Sequence, residues 1–227
     1  MKLPFVYVNV AMTADGKLAS ANRRIASPGS PGDIAHMMEL RTYADAVMSG
    51  ARTVDLNDAH LDPGGAKYRR LRRRHGVAEY NIRVIVSGSG SIDPKSDIFK
   101  KQHSPLIVLA SERIPKRRVA MLQRLGAHVR IFGDREIDFR PALAWLRKEW
   151  GVKRLLCEGG GEVNGAIFRA GLVDELHMTI CPYIFGGEGS PTPADGEGVA
   201  HLKEAFQMRL HSMKRVDDEL FLIFRKR

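Results

Sequence analysis

The chain has 227 residues, 44% of them hydrophobic, enough material for one substantial core, and no shift of composition divides it. Its formal net charge of +10 invites a phosphate-rich partner, yet aromatics are few and the zinc-finger, RNA-recognition and homeodomain patterns are all absent, so nucleic acid is not favoured. No apolar run approaches the roughly 20 residues of a membrane span. The two cysteines, Cys157 and Cys181, lack metal-ligand spacing, and the first residues lack the apolar core of a signal peptide, so a reducing cytoplasm without a disulfide is expected.

Residues 4–12 are β-branched and apolar and predict a buried first strand, turned by Thr13-Ala14-Asp15-Gly16-Lys17. Ser30 or Asp33 caps a helix with apolar positions Ile34, Met37, Met38 and Leu40, ending near Arg41. A short strand at 46–48, a short helix after Ser49-Gly50-Ala51-Arg52-Thr53-Val54 and a loop over 57–65 follow. The run Lys67-Tyr68-Arg69-Arg70-Leu71-Arg72-Arg73-Arg74-His75 reads first as a solvated basic helix or loop, and second as an attractor for an anionic small substrate. Strands at 83–86, 106–110, 128–132 and 154–157 then alternate with helices at 116–125 and 140–150, which predicts a mostly parallel sheet covered on both faces. After Gly171 the pattern changes to a strand over 175–185 and an antiparallel pair, 207–215 and 219–224, across Asp217-Asp218. The fold class is therefore α/β with a mixed sheet, in one domain over 1–227, and 186–198 is its longest loop.

Between the strand at 154–157 and the helix after it stands Cys157-Glu158-Gly159-Gly160-Gly161-Glu162-Val163-Asn164-Gly165. Val163, Ala166, Ile167 and Ala170 recur at helical spacing and stop at Gly171. Glycines just before a helix let a phosphate reach main-chain N–H groups, with the helix dipole favouring its charge. The dinucleotide fingerprint fails at Asn164, and the phosphate-loop spacing is followed by Ala166 and Ile167 in place of Lys and Ser or Thr. One glycine would suggest only a tight turn; three in a row, flanked by Glu158 and Asn164, favour a nucleotide site. Glu158, a carboxylate after three apolar strand residues, needs a partner or a ligand.

Several separated segments agree with one family: Val8-Asn9-Val10-Ala11-Met12-Thr13-Ala14-Asp15-Gly16-Lys17, Leu40-Arg41, Gly50-Ala51-Arg52-Thr53-Val54, Leu156-Cys157-Glu158-Gly159-Gly160-Gly161, Gly171-Leu172-Val173-Asp174-Glu175 and Pro182-Tyr183-Ile184-Phe185-Gly186-Gly187. In this order, through nearly the whole length, they resemble the riboflavin-biosynthesis reductases in their stand-alone archaeal and fungal form. No His-x-Glu followed by Pro-Cys-x-x-Cys occurs, so the zinc deaminase fused to many bacterial relatives is not expected.

The resemblance implies a dihydrofolate-reductase-like fold, a cytoplasmic homodimer, and hydride transfer from NADPH, or else NADH, to the sugar C1 of a pyrimidine ribosylamine 5′-phosphate. It carries catalytic roles to Asp15, Lys17 and Glu158. Cofactor contacts fall on Ala11, Thr53, Asn57, Ser87, Gly159, Gly160, Gly161 and Glu162, substrate contacts on Asn9, Asn22, Arg41 and Leu61, and no metal is implied. Two segments depart from the family. Asn57-Asp58-Ala59-His60-Leu61 replaces an acidic pair followed by Pro-Arg-Leu, so His60 or the Lys67 to His75 run is expected to supply a phosphate contact. Val86-Ser87-Gly88-Ser89-Gly90 replaces an Asp-Ser with a nearby Arg, leaving Arg113 as the cation for a 2′-phosphate. Two other readings stay open: a pterin or dihydrofolate-type reductase on the same fold, and a non-enzymatic nucleotide- or nucleic-acid-binding module.

Overall fold

The computed structural model describes residues 2–23 and 27–227. In chain order the elements are β1 (Phe5–Thr13), α1 (Pro31–Arg41), β2 (Ala46–Gly50), α2 (Ala51–Leu56), α3 (Ala66–Arg74), β3 (Ile82–Val86), β4 (Leu106–Ala110), α4 (Lys116–Arg124), β5 (Ala127–Ile131), α5 (Phe139–Glu149), β6 (Arg154–Cys157), α6 (Gly161–Arg169), β7 (Glu175–Cys181), β8 (Met208–Val216) and β9 (Glu219–Lys226). Short 3-10 turns add Asp97–Phe99 and Leu202–Glu204, neither of which the sequence signalled. The described residues divide into two compact units, 2–4 with 38–156, and 5–23 and 27–37 with 157–227.

In the first unit the strand order is β5-β4-β3-β2-β6, with β2 to β3, β3 to β4 and β4 to β5 all parallel. β2 and β4 are buried along their whole length, as continuous apolar strands in a covered parallel sheet should be. Asp45 fixes where three strands start. Its carboxylate accepts from the amides of Lys153 (2.7 Å) and Arg154 (2.8 Å), and its carbonyl accepts from the Ile82 amide at 2.9 Å.

The basic run forms α3, and at one position it is not a solvated face. Arg72 is 0% exposed. Its Nε donates to the Ala78 carbonyl at 2.8 Å, while Nη1 donates to the carbonyls of Ala44 (2.7 Å) and Arg41. Three main-chain acceptors at the end of α1, the start of β2 and the turn after α3 are thus satisfied by one rigid guanidinium fork. Arg70, Arg73 and Arg74 keep to the exposed face.

In the second unit β1 pairs parallel with β7, from Tyr7 opposite Glu175 to Thr13 opposite Cys181, and β9 joins β7 and β8 in antiparallel register. β7 ends at Cys181 and does not run on to 185, because Pro182 has no N–H to give a ladder. The next residues bond instead to the turn after β1, with Ala14 N donating to Tyr183 O at 2.9 Å. The apolar face expected of α1 is also absent in part. Ile34 is 52% exposed, whereas Asp33 is buried against Thr179 and His36 lies against His177 and Phe221. Leu40 is buried and Met37 and Met38 are half-buried as expected, so the apolar spacing fails at Ile34, where polar strand residues such as Thr179 draw Asp33 inward in its place. β8 is exposed at every residue except its two ends, with Leu210 and Met213 more than half open to solvent.

Candidate active site

The turn between β6 and α6 begins on Leu155, Leu156 and Cys157, all fully buried. Gly159 has φ +21 and Gly160 φ +93, the second in a region that only glycine enters without strain. Gly160 is the N-cap of α6 and offers no capping side chain, so the amide end of the helix is left to other acceptors. To this extent the turn fits a diphosphate.

The remaining glycines have a different cause. A Cβ on Gly159 would collide with Oδ1 of Asn164, a Cβ on Gly161 with the carboxylate of Asp195, and a Cβ on Gly165 with the main-chain carbonyl of Asp195. The loop at 192–195 is therefore packed on the flank of α6. It is tied there by Asp195 N donating to Gly161 O at 2.8 Å and Asn164 Nδ2 donating to Pro193 O at 3.0 Å. The Asp195 carboxylate in turn accepts from Thr192 N (2.9 Å) and Thr192 Oγ1 (2.6 Å), which closes the loop on itself. Asn164, which the sequence offered as a polar flank of a ligand site, is 0% exposed and binds protein on both ends of its amide. Of the three consecutive glycines, Gly160 lies furthest into the left-handed region, whereas Gly159, at the edge of that region, is also blocked by Asn164.

Around the turn after β1, Thr13 is the organiser. Its hydroxyl accepts from Lys17 N at 2.9 Å and donates to the Asp15 carboxylate, and Gly16 takes φ +77 to complete the turn. Asp15 also accepts from Phe185 N (3.2 Å) and Gly186 N (2.7 Å), so it latches the segment after β7. The Thr13 hydroxyl, followed by the Gly186 amide, holds the Asp15 carboxyl below the usual carboxylate range. At neutral pH it is a fixed negative charge, not a proton donor. On β1 itself, Asn9 is 7% exposed and its Oδ1 is buried without a hydrogen-bond partner among the described residues. A buried acceptor left so costs about 1–3 kcal/mol, which a ligand donor would return. Ala11, Lys17 and Glu158 are half-buried, while Asn22 and Glu162 are exposed. The thiols of Cys157 and Cys181 are both pushed up to about 12 by burial, so neither serves as a nucleophile.

In the first unit, Thr53 is half-buried in α2 and its carbonyl accepts from Asn57 N at 3.2 Å, with Asn57 exposed as the C-cap. The Ser87 hydroxyl accepts from Ser91 N at 2.9 Å and closes the turn after β3. Arg41 is 6% exposed and donates to the Asp62 carbonyl at 2.6 Å, so part of its fork holds the 57–65 loop. Leu61 is a core residue, 1% exposed, in a left-handed conformation at φ +53 with its carbonyl held by Asn81 at 2.8 Å. Its side chain reaches no surface of the chain. His60, next to it, has a buried Nδ1 without a partner among the described residues. Arg113 is exposed after β4. Sequence reasoning missed Asn164, Asp195 and Arg72 as organisers; the close pair Asn164 and Gly165 was the one local sign that α6 packs tightly against something.

Residues 4–222 match the family model of the RibD C-terminal domain. The chain belongs to that family. It is 32% identical over 219 residues to the 2,5-diamino-6-ribosylamino-4(3H)-pyrimidinone 5′-phosphate reductase of Methanothermobacter thermautotrophicus, covering 96% of each chain. To the reductase of the same name from Aquifex aeolicus it is 29% identical over 216 residues, with 93% of this chain and 92% of that one covered. Among solved structures, Acinetobacter baumannii RibD superposes with a TM-score of 0.79 at 20% identity, over 99% of this chain and 58% of that chain. A pyrimidine reductase-like protein of Corynebacterium diphtheriae gives 0.78 at 19% identity, over 98% and 92%. The fold class and the family resemblance expected from the sequence are both borne out.

Gly165→Ala tests the account of the turn. Alanine should favour an isolated helix by about 1 kcal/mol, but the collision with the Asp195 carbonyl should outweigh this by about 1–3 kcal/mol. Urea denaturation should show a less stable protein and limited proteolysis new cleavage in the 192–197 loop. A variant as stable and as resistant as the parent would contradict the packing described.

Proposed function

We propose that this chain reduces the ribosyl group of a pyrimidine ribosylamine 5′-phosphate to the ribityl group, in riboflavin biosynthesis, with NADPH as reductant. The observation that carries this reading is the match, over nearly the whole of both chains, to reductases bearing that name. The same names favour it over a pterin reductase or a nucleic-acid-binding module.

A nicotinamide cofactor supplies the hydride. The amide end of α6 at Gly160 and Gly161 would hold its diphosphate, where main-chain donors and the helix dipole favour a negative charge. Asn9 Oδ1 accepts a hydrogen bond from the substrate, the donor it lacks within the protein. Asp15 keeps the 183–186 segment in place through the amides of Phe185 and Gly186 and contributes a fixed charge. Asp15 serves as a fixed charge, and the proton that accompanies hydride transfer is assigned to Lys17 or Glu158, the other two residues given a catalytic role. The chemistry asks the protein for position and charge, since the hydride belongs to the cofactor.

The test follows NADPH absorbance with the undeaminated and deaminated pyrimidine phosphates side by side. NADPH should be oxidised with at least one of them and far more slowly once the phosphate is removed; no oxidation with either would refute the proposal. In the same assay Asn9→Ala should lose about 1–3 kcal/mol of substrate binding, roughly a tenfold or larger rise in KM.

We also propose that β8 is the edge through which two copies associate, because a long exposed strand carrying Leu210 and Met213 is a template for pairing. Light scattering should give twice the chain mass, and Leu210→Glu combined with Met213→Glu should return it to the chain mass. A parent protein that is already monomeric would sink the idea.

A further inference from the structure

Within the first unit, a pocket of about 300 Å³ opens at the N-terminal ends of β3 and β4, the end of β3 opposite Ser87. Its lining includes Arg83, Phe99, Gln102, Ser104, Leu106 and Leu125, with no carboxylate among the lining residues. That volume is at the lower end of the range for small-molecule sites.

Arg83 gives the pocket its chemistry. It sits on β3 between β2 and β4, is 3% exposed, and donates from Nη1 to Ile98 O at 2.7 Å and from Nη2 to Ser104 O at 2.8 Å. A guanidinium has five N–H donors, and here its Nε is buried with no partner among the described residues. No carboxylate among the described residues lies within ion-pair distance of it. Asp62 is the acid whose field it feels, and that carboxylate is already engaged by the Gly64 amide at 2.9 Å and by Lys101 Nζ at 3.6 Å. A buried cation balanced only by carbonyl dipoles is costly, and an anion arriving beside it removes much of that cost. Beside the polar Gln102 and Ser104, the lining carries the apolar side chains of Phe99, Leu106 and Leu125, which suit an anion with an apolar body better than a strongly hydrated inorganic one.

We propose that this pocket binds a small organic carboxylate, its anionic head paired with Arg83 and its flat apolar body against Phe99 and Leu106. Carboxylate geometry suits the guanidinium fork, and the apolar body gains from leaving water. The site is separate from the residues assigned to hydride transfer and does not depend on that assignment.

Calorimetric titration of the full chain with benzoate, formate and inorganic phosphate tests it. Benzoate should bind saturably, and formate, which lacks the apolar body, at least about tenfold more weakly. Gln102→Glu brings a carboxylate to the pocket without touching the buried arginine contacts, and should weaken benzoate about tenfold or more without lowering the thermal unfolding temperature. Absence of saturable benzoate binding, or equal benzoate affinity in parent and Gln102→Glu, overturns the proposal. Tighter binding of phosphate than of benzoate overturns the ligand class.

Discussion

The side-chain amide of Asn164 is buried where β6, the glycine turn, α6 and the 192–195 loop meet, and each of its atoms is spoken for. Oδ1 accepts from Cys157 Sγ at 3.4 Å and crowds Gly159, while Nδ2 donates to Pro193 O at 3.0 Å. A buried amide stabilises only when its donors and acceptors are satisfied, so this one geometry ties together positions that are far apart in sequence. With Asn164 in place, the loop lies on the helix flank, and Gly161 and Gly165 must lack side chains.

From that constraint follows a division of labour in the glycine run. Three of its glycines, at 159, 161 and 165, make room for the protein itself, and Gly160 supplies the backbone conformation that starts the helix. A similar division holds in the turn after β1. Asp15 spends its carboxylate on Thr13 and on the 185–186 amides, whereas Asn9 keeps an acceptor without a donor. Groups already satisfied by main chain are positioning devices, and a buried group left unsatisfied marks where a ligand is expected.

Much of the fold was legible because the signals were local. The apolar runs at β4 and β6, the helical spacing of α5 and α6, and the stop at Gly171, which takes φ +67, all act within a few residues. What was not legible depended on partners distant in the chain. Arg72 looks like its exposed neighbours until the carbonyls of Arg41, Ala44 and Ala78 surround it. The first turn of α1 was misjudged because its buried side meets polar strand residues, as Asp33 meets Thr179, leaving Ile34 outside. Leu61, carried over from the family as a substrate contact, lies in the core. The triple glycine was read as a place where bare backbone meets a phosphate, and at Gly159 and Gly161 the close neighbour is the protein's own structure.

The most direct test is an amide-resolved NMR titration of the protein with NADPH. If the diphosphate lies on the amide end of α6 while the 192–195 loop keeps the flank, the Gly160 and Gly161 resonances shift strongly and those of Gly165 and Asp195 stay where they are. Unmoved Gly160 and Gly161 signals at saturating NADPH, or a displaced Asp195 signal, would contradict the account.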